Sequence, residues 1–344
     1  MKSISYKGGI KMATIKDVAK HAGLSVTTVS RYLNHHPYIT EEKKEKIKLA
    51  MKELDYSPNS AATQLRSNKS FTIGIIVSRI TNPFFAYLID SIEKVVKKTN
   101  YHTLIMQTYD NKDEELRLLN MLKQKHIDGI IMASIENDLS VIEQYEQYGP
   151  IVITGDISLS SSTLPVVGTN QENATYRAIL YLIEKGYTDI AYCTGGEFKE
   201  TKHGSSRNRG YIKALQDNNI PLNFDRIYKN IHTINDGEEI AKSILNLDKE
   251  KWPRAIFAGS DEVAAGMIKA FIQNEVNIPE EIAIMGYDNQ PLSEMLSIPL
   301  STVSQPIDEI GIETTNLLMS YLNECEYIVN KEALELDIIV RSST

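Results

Sequence analysis

The sequence predicts an α/β protein carried behind a small helical head. From Phe71 onward, short apolar runs alternate with amphipathic helical patterns in two successive series. Ahead of them, residues 14–54 hold three short helical patterns with shared small and branched apolar positions. The charge is split between the two parts: 13 Lys and Arg against 6 Asp and Glu in residues 1–70, and 24 against 39 in the remainder of the 344 residues. A formal net charge of −8 alone argues against a polyanion as partner, but a basic head on an acidic body points to a polyanion-binding head joined to something with another task. Cys193 and Cys325 lie too far apart for a disulfide framework or a zinc site and fit a reducing compartment. With no apolar run of about 18 residues and no signal-peptide core, the expectation is a cytoplasmic protein with no membrane partner.

In the head, Thr14 stands three residues before Asp17, a capping-box spacing, and Ile15, Val18, Ala19 and Ala22 follow at helical intervals. Gly23 ends that helix, Ser25 caps a second, and Val29 and Leu33 form its buried side. Ala19, Gly23 and Val29 fall on the spacing A-x3-G-x5-V, which supplies a small residue at a helix crossing, a glycine at the corner and a branched side chain beneath: a helix-turn-helix. A third helix, capped by Thr40, brings Ile47, Ala50, Met51 and Leu54 to the same core. The second helix then shows Val26, Thr27, Thr28, Ser30 and Arg31 outward, the residues that enter the major groove in such a motif; Thr suits base edges or phosphate, Val a thymine methyl and Arg a guanine. Tyr32 faces either the core or a phosphate. Ser57-Pro58 opens a further helix through Arg66 that is too short to be stable alone.

The runs "TIKDVAKHAGLSVTTVSRYLN" and "EKIKLAMKELDYSPNSAATQLRSNKSFTIGIIV" resemble the start of the lac repressor/galactose repressor (LacI/GalR) family, and the likeness continues from Met12 to Thr344. It implies a helix-turn-helix DNA-binding domain over residues 12–56, a hinge helix and linker over 57–70, and an effector-binding and dimerisation domain over 71–344. That last domain would be a two-lobed, periplasmic-binding-protein-like body with parallel sheets, the chain crossing between lobes near Thr169, Leu300 and Tyr327. It also implies a homodimer on double-stranded operator DNA, with Leu65 as a minor-groove wedge unless it merely packs the linker. Thr14, Ser25, Asn34 and Tyr56 in the head and Asn59, Ala62, Leu65 and Arg66 in the hinge complete the DNA-contacting set that the resemblance implies. Thr63 departs from the Arg common there. Residues 1–11 fit no family pattern, so a disordered leader and a native start at Met12 are expected. No leucine-heptad tail follows "IIVRSST", which favours a dimer over a tetramer.

In the body, "FTIGIIV", "HTLIMQT", "IDGIIMA", "DIAYCTG", "RAIFAG" and "EIAIMGY" read as strands, with helices over Phe84–Lys98 and Asp113–Lys125. Ligands of parallel sheets sit beyond the carboxyl ends of strands. After the first strand come Arg79, read as drawing an anionic effector or pairing with a nearby acid; Asn82, a helix cap or a ligand contact; and Phe84, stacking on a ligand or packing its lobe. The resemblance places Arg207 and Asp288 in the cleft, a donor fork opposite an acceptor that together suit a polyol. It places His232 where relatives carry a stacking aromatic and Ser260 where they carry Asn or Thr, with Asp261 read as the cap of the following helix; Thr169 stands where many have Asp. No G-x-S-x-G, P-loop, H-E-x-x-H or clustered His and Cys occurs, so no enzyme, cofactor or metal is expected. The function expected is a repressor of carbohydrate-utilisation genes controlled by a small-molecule effector, a sugar or sugar derivative. The alternatives are a catabolite-control regulator with a phosphorylated corepressor protein, and a solute-binding protein.

Overall fold

Gly23 turns the corner of the head. The computed structural model describes residues 13–33, 36–57, 69–161, 163–198 and 205–344, in two compact units divided between Lys69 and Ser70. The leader, Met12, Asn34, Asn59, Ala62, Thr63, Leu65 and Arg66 lie outside the described residues. In the first unit, α1 (Ile15–His21) begins with a complete Thr14–Asp17 capping box. It ends with Gly23 at φ +64°, where Gly23 N–H donates to Lys20 O at 3.3 Å and Leu24 N–H to Ala19 O at 3.0 Å. Helices α2 (Val26–Leu33) and α3 (Glu41–Glu53) close a core of Val18, Ala19, Val29, Ile47 and Ala50. Thr40 corrects the expected cap: it precedes α3 in extended conformation but makes no side-chain capping bond, and Glu41 and Glu42 occupy the positive end of the helix instead.

The second unit holds two sheets, each with helices on its faces. The N-lobe sheet runs β2-β1-β3-β4-β5, all parallel, from β1 (Thr72–Val77), β2 (His102–Gln107), β3 (Gly129–Met132), β4 (Ile151–Asp156) and β5 (Val166–Thr169). Ile75 sits level with Ile105 on one side and Ile131 on the other, which makes β1 the apolar centre of that lobe. Its helices include α4 (Pro83–Val96) and α5 (Lys112–Lys123). The C-lobe sheet runs β11-β10-β9-β8-β6-β7, from β6 (Ile190–Thr194), β7 (Ile227–Lys229), β8 (Ala255–Phe257), β9 (Ala283–Asp288), β10 (Ser301–Ser304) and β11 (Asp337–Ile339). Only the β10–β11 pair is antiparallel. Between these strands lie α6 (Leu139–Glu143), α7 (Gln171–Glu184), α8 (Ser205–Asp217), α9 (Ile234–Leu245), α10 (Asp261–Gln273) and α11 (Leu292–Met295); α12 (Ile307–Leu322) returns to the N-lobe.

The chain crosses between lobes after Thr169, between β10 and α12, and between Leu334 and Leu336. The second and third crossings correct the expected positions. Leu300 belongs to the C-lobe core and β10 still pairs with β9, whereas Tyr327 still packs with the N-lobe core and Leu336 is the first residue back in the C-lobe core. Return of α12 to the N-lobe is secured where Gly311 abuts Ser91 of α4, whose hydroxyl donates to Asp308 O at 2.8 Å.

Helices α9 and α10 approach closely enough that only glycine fits at the contact. A Cβ on Gly237 would stand 2.1 Å from Val263 O, and one on Gly266 2.0 Å from Ile234 O. This crossing fixes the loops that carry His232 and Ser260. Gly266→Ala is therefore expected to destabilise the body by about 1–3 kcal/mol, as overpacking does, read as a lowered urea midpoint with an unchanged slope.

Candidate functional site

On the head, the outer side of α2 presents Val26, 41% exposed, with Thr27 and Arg31 exposed and Thr28 and Ser30 half-buried. Three further residues expected at DNA serve the head's own structure. Thr14 caps α1, Ser25 accepts the Thr28 N–H at 3.2 Å, and Tyr56 is half-buried against the head core. Thr14 and Ser25 stay exposed while doing so.

In the body a cavity of about 560 Å³ opens between the lobes at the carboxyl ends of both sheets. It gathers Asn82, Phe84, Arg207, His232, Ser260 and Asp288. Arg79 is not among its lining residues: its guanidinium pairs with Asp110 at 3.3 Å, so the reading of a cation inviting an anionic effector is withdrawn. Asn82 caps α4, accepting the Phe84 N–H at 3.0 Å. Phe84 packs on the N-lobe core and meets Phe85 edge-on at 5.4 Å, leaving part of its ring to the cavity. Ser260, not Asp261, caps α10, accepting the Val263 N–H at 3.2 Å. Asp261 lies fully buried one position on, where it accepts Thr302 Oγ1–H at 2.6 Å and Gln290 N–H at 2.7 Å. Burial pushes its carboxyl up to about 8, with the nearby Asp288 adding to the effect.

Arg207 and Asp288 are held by a shared set of amides. The Arg207 guanidinium lies over the Tyr287 ring, 3.6 Å from its centroid, donates Nε–H to Gln171 Oε1 at 2.6 Å and Nη1–H to Gly259 O at 3.0 Å. Among the described residues nothing accepts from Nη2. Asp288 ends β9 at φ +105°, a strained conformation for a residue with a Cβ, and is 5% exposed. Its Oδ1 accepts Gln305 Nε2–H at 2.7 Å, and its Oδ2 accepts Gln290 Nε2–H at 3.4 Å. Burial raises its carboxyl to about 6; Arg207 and these amides pull the other way. His232 is pushed down, first by burial and then by the charge of Arg79, so its imidazole is neutral near pH 7.

Sequence reading missed Gln171, Gln305, Thr154 and Asp156, all lining the cavity. Thr154 is 5% exposed, and among the described residues its enclosed hydroxyl has no hydrogen-bond partner. The register of β4 marks Thr154 and Asp156, since both stand at its carboxyl end beside β5. Nothing local marks the glutamines, whose roles depend on lobes brought together by the crossings. Among the described residues no group of three or more metal-ligating side chains occurs, and no helix is long and apolar enough to cross a membrane.

Residues 14–59 match the family model described as bacterial regulatory proteins, lacI family, and residues 70–333 match periplasmic binding proteins and sugar binding domain of LacI family. The NTD biosynthesis operon regulator of Bacillus subtilis (strain 168) is 36% identical over 97% of this chain and 100% of its own length. Catabolite control protein A of Priestia megaterium is 33% identical over 90% of this chain and 93% of its own. A LacI family transcriptional regulator from Lactobacillus casei, solved with bound glucose, aligns with TM-score 0.74 at 33% identity over 79% of this chain and 99% of its own. The lac repressor dimer bound to operator and an anti-inducer aligns with TM-score 0.82 at 22% identity over 97% of this chain and 99% of its own, a likeness of fold.

The raised carboxyl of Asp288 has a stability signature. Its folded value, about 6, lies above its ordinary 3.8, so its favourable contribution is complete below pH 3.8 and is lost as pH rises through 6. Asp288→Asn is expected to flatten the decline of melting temperature across that window; an unchanged slope would contradict the assignment.

Proposed function

Because the chain belongs to the lacI family of bacterial regulatory proteins, and is thus a DNA-binding transcriptional regulator with an effector-binding body, we propose that it is a repressor controlled by a small hydroxyl-rich effector, a carbohydrate or derivative, held between the lobes. One observation carries this reading. The Arg207 fork, whose Nη2 has no acceptor among the described residues, and the Asp288 carboxylate line the same cavity as the partly apolar wall of Phe84. A donor fork and an acceptor bracket vicinal hydroxyls, while an aromatic face covers the C–H side of a sugar ring. The neutral imidazole of His232 adds a hydrogen-bonding edge. Loss of Arg79 from the lining removes the main argument for an anion. The L. casei regulator, solved with glucose and with sucrose, supports a neutral sugar class.

The mechanism proposed is linkage: the effector favours one lobe arrangement, and operator affinity changes by its differential binding energy and no more. Thr27, Arg31 and their neighbours on α2 read the operator, and the hinge set Asn59, Ala62, Leu65 and Arg66 meets the minor groove as a dimer. The cleft lining favours the sugar-effector reading, while likeness to catabolite control protein A supports the second one, a phosphorylated corepressor protein docked on the N-lobe; a pull-down from lysate with and without that partner's phosphorylation separates the two.

Two outcomes are expected. In a thermal-shift screen of glucose, sucrose and sugar phosphates, a neutral sugar raises the melting temperature of the chain, and Arg207→Lys weakens it by about 1.5–3 kcal/mol, the worth of a charge-assisted contact. Undiminished affinity in that variant would refute the site. Arg31→Ala weakens binding to the chain's own promoter DNA by about 1–3 kcal/mol and relaxes base preference, in an assay run at two salt concentrations.

A further inference from the structure

The cavity floor is built from two crossover glutamines whose hydrogen bonds form one continuous chain. Thr169, at the end of β5 in the N-lobe, donates to Gly155 O at 3.3 Å and accepts Gln171 Nε2–H at 3.1 Å. The same amide nitrogen donates to Gln305 Oε1 at 3.2 Å, and Gln305 Nε2–H donates to Asp288 at 2.7 Å. Gln171 Oε1 accepts both Arg207 Nε–H at 2.6 Å and Tyr287 O–H at 2.9 Å. Gln171 begins α7 just after the first crossing, and Gln305 lies in the second. All four links are buried: Thr169 is 1% exposed, Gln171 8%, Gln305 7% and Asp288 5%.

A buried amide is costly unless its donors and acceptors are matched. Gln171 uses both amide hydrogens and both lone pairs, so it cannot keep its partners if Arg207 shifts. Gln305 engages one amide hydrogen, toward Asp288, and one lone pair, toward Gln171. Ordinary packing between lobes would need only apolar side chains; two matched amides specify one relative placement of Thr169, Arg207 and Asp288 instead.

We propose that Gln171 and Gln305 are positioning residues that transmit the state of the Arg207–Asp288 pair to the first two crossings, so that engagement of either group sets the angle between the lobes. The proposal rests on the effector reading of the cleft, but its test uses no effector, so the two can fail separately.

Spin labels are placed on exposed Lys98→Cys in the N-lobe and Gln216→Cys in the C-lobe, in a Cys325→Ser background that leaves buried Cys193 untouched. The labelled full-length chain is diluted in excess unlabelled chain, so only distances within one chain are read by pulsed electron resonance. A control pair, Lys98→Cys with Lys123→Cys, stays within the N-lobe. Gln171→Leu and Gln305→Leu are each expected to widen the interlobe distribution roughly twofold, with the double variant no wider than either, because the residues act in series. The intralobe control should not change. Native width in both single variants, or widths that add in the double, would overturn the proposal. Gln305→Glu covers the case in which the leucines impair folding. At about pH 8 its carboxylate repels Asp288 and the distribution widens; at about pH 5 the two carboxyls share a proton, one donating to the other where the amide did, and native width returns. An identical distribution at both pH values would also overturn the proposal.

Discussion

The body depends on keeping one carboxylate matched while it is out of water. Asp288 lies at the end of β9 and lines the cavity, where burial outweighs Arg207 and the amides and leaves its carboxyl raised to about 6. Such a group persists only with donors fixed against it. The structure supplies them from outside its own strand: Gln305 from the crossing into α12, and Gln290 from the turn that follows. That turn is itself tied down. Asn289 donates its backbone N–H to Thr302 Oγ1 at 3.3 Å, and its side-chain oxygen accepts Arg341 Nη2–H at 2.9 Å. Asp261 stands behind, gripping Thr302 and the Gln290 backbone. The positive φ values of Asp288 and Asn289, 105° and 53°, are sustained by this surrounding set.

From that constraint the geometry of the cleft follows. Donors to Asp288 come from a crossing, and the crossing's glutamine meets the glutamine of the other crossing, which meets Arg207. Binding groups and hinge segments therefore belong to one polar cluster rather than to separate parts of the molecule. The same logic explains why the head is simpler. Its core is small and apolar, its first helix is capped locally, and its outward residues on α2 are left for a partner.

Much of this was legible in the sequence, for physical reasons that can be named. Helix α1 declared itself through Thr14, Asp17 and Gly23, because caps and left-handed corners are local events. Strands β1, β3 and β9 are apolar on both faces, and that run pattern is hard to mistake. Strand β7 escaped notice, since three residues at a sheet edge leave no periodicity, and β5 was marked only by the crossing expected at Thr169. Asp288 and Arg207 could be placed by likeness to the family, whereas Gln171 and Gln305 could not be placed at all: their partners lie 134 residues apart along the chain, and an amide carries no signature of its own. Arg79 left two roles open, drawing an anionic effector or pairing with a nearby acid, and only the fold decides for the second by setting Asp110 beside it. Leu300 and Tyr327 were placed as crossing points by likeness to the family alone, and the actual crossings come a few residues later, because β10 still pairs with β9 and Tyr327 still packs on the N-lobe core.

The most direct test of the account compares effector binding to the free chain with binding to the chain saturated by promoter DNA, by calorimetric titration of the sugar that the thermal screen identifies. Linkage between the cleft and the head predicts dissociation constants that differ about 5–150-fold, the usual range of an allosteric coupling. Equal constants would mean that the cleft and the DNA-reading head do not communicate, and would contradict the account at its centre.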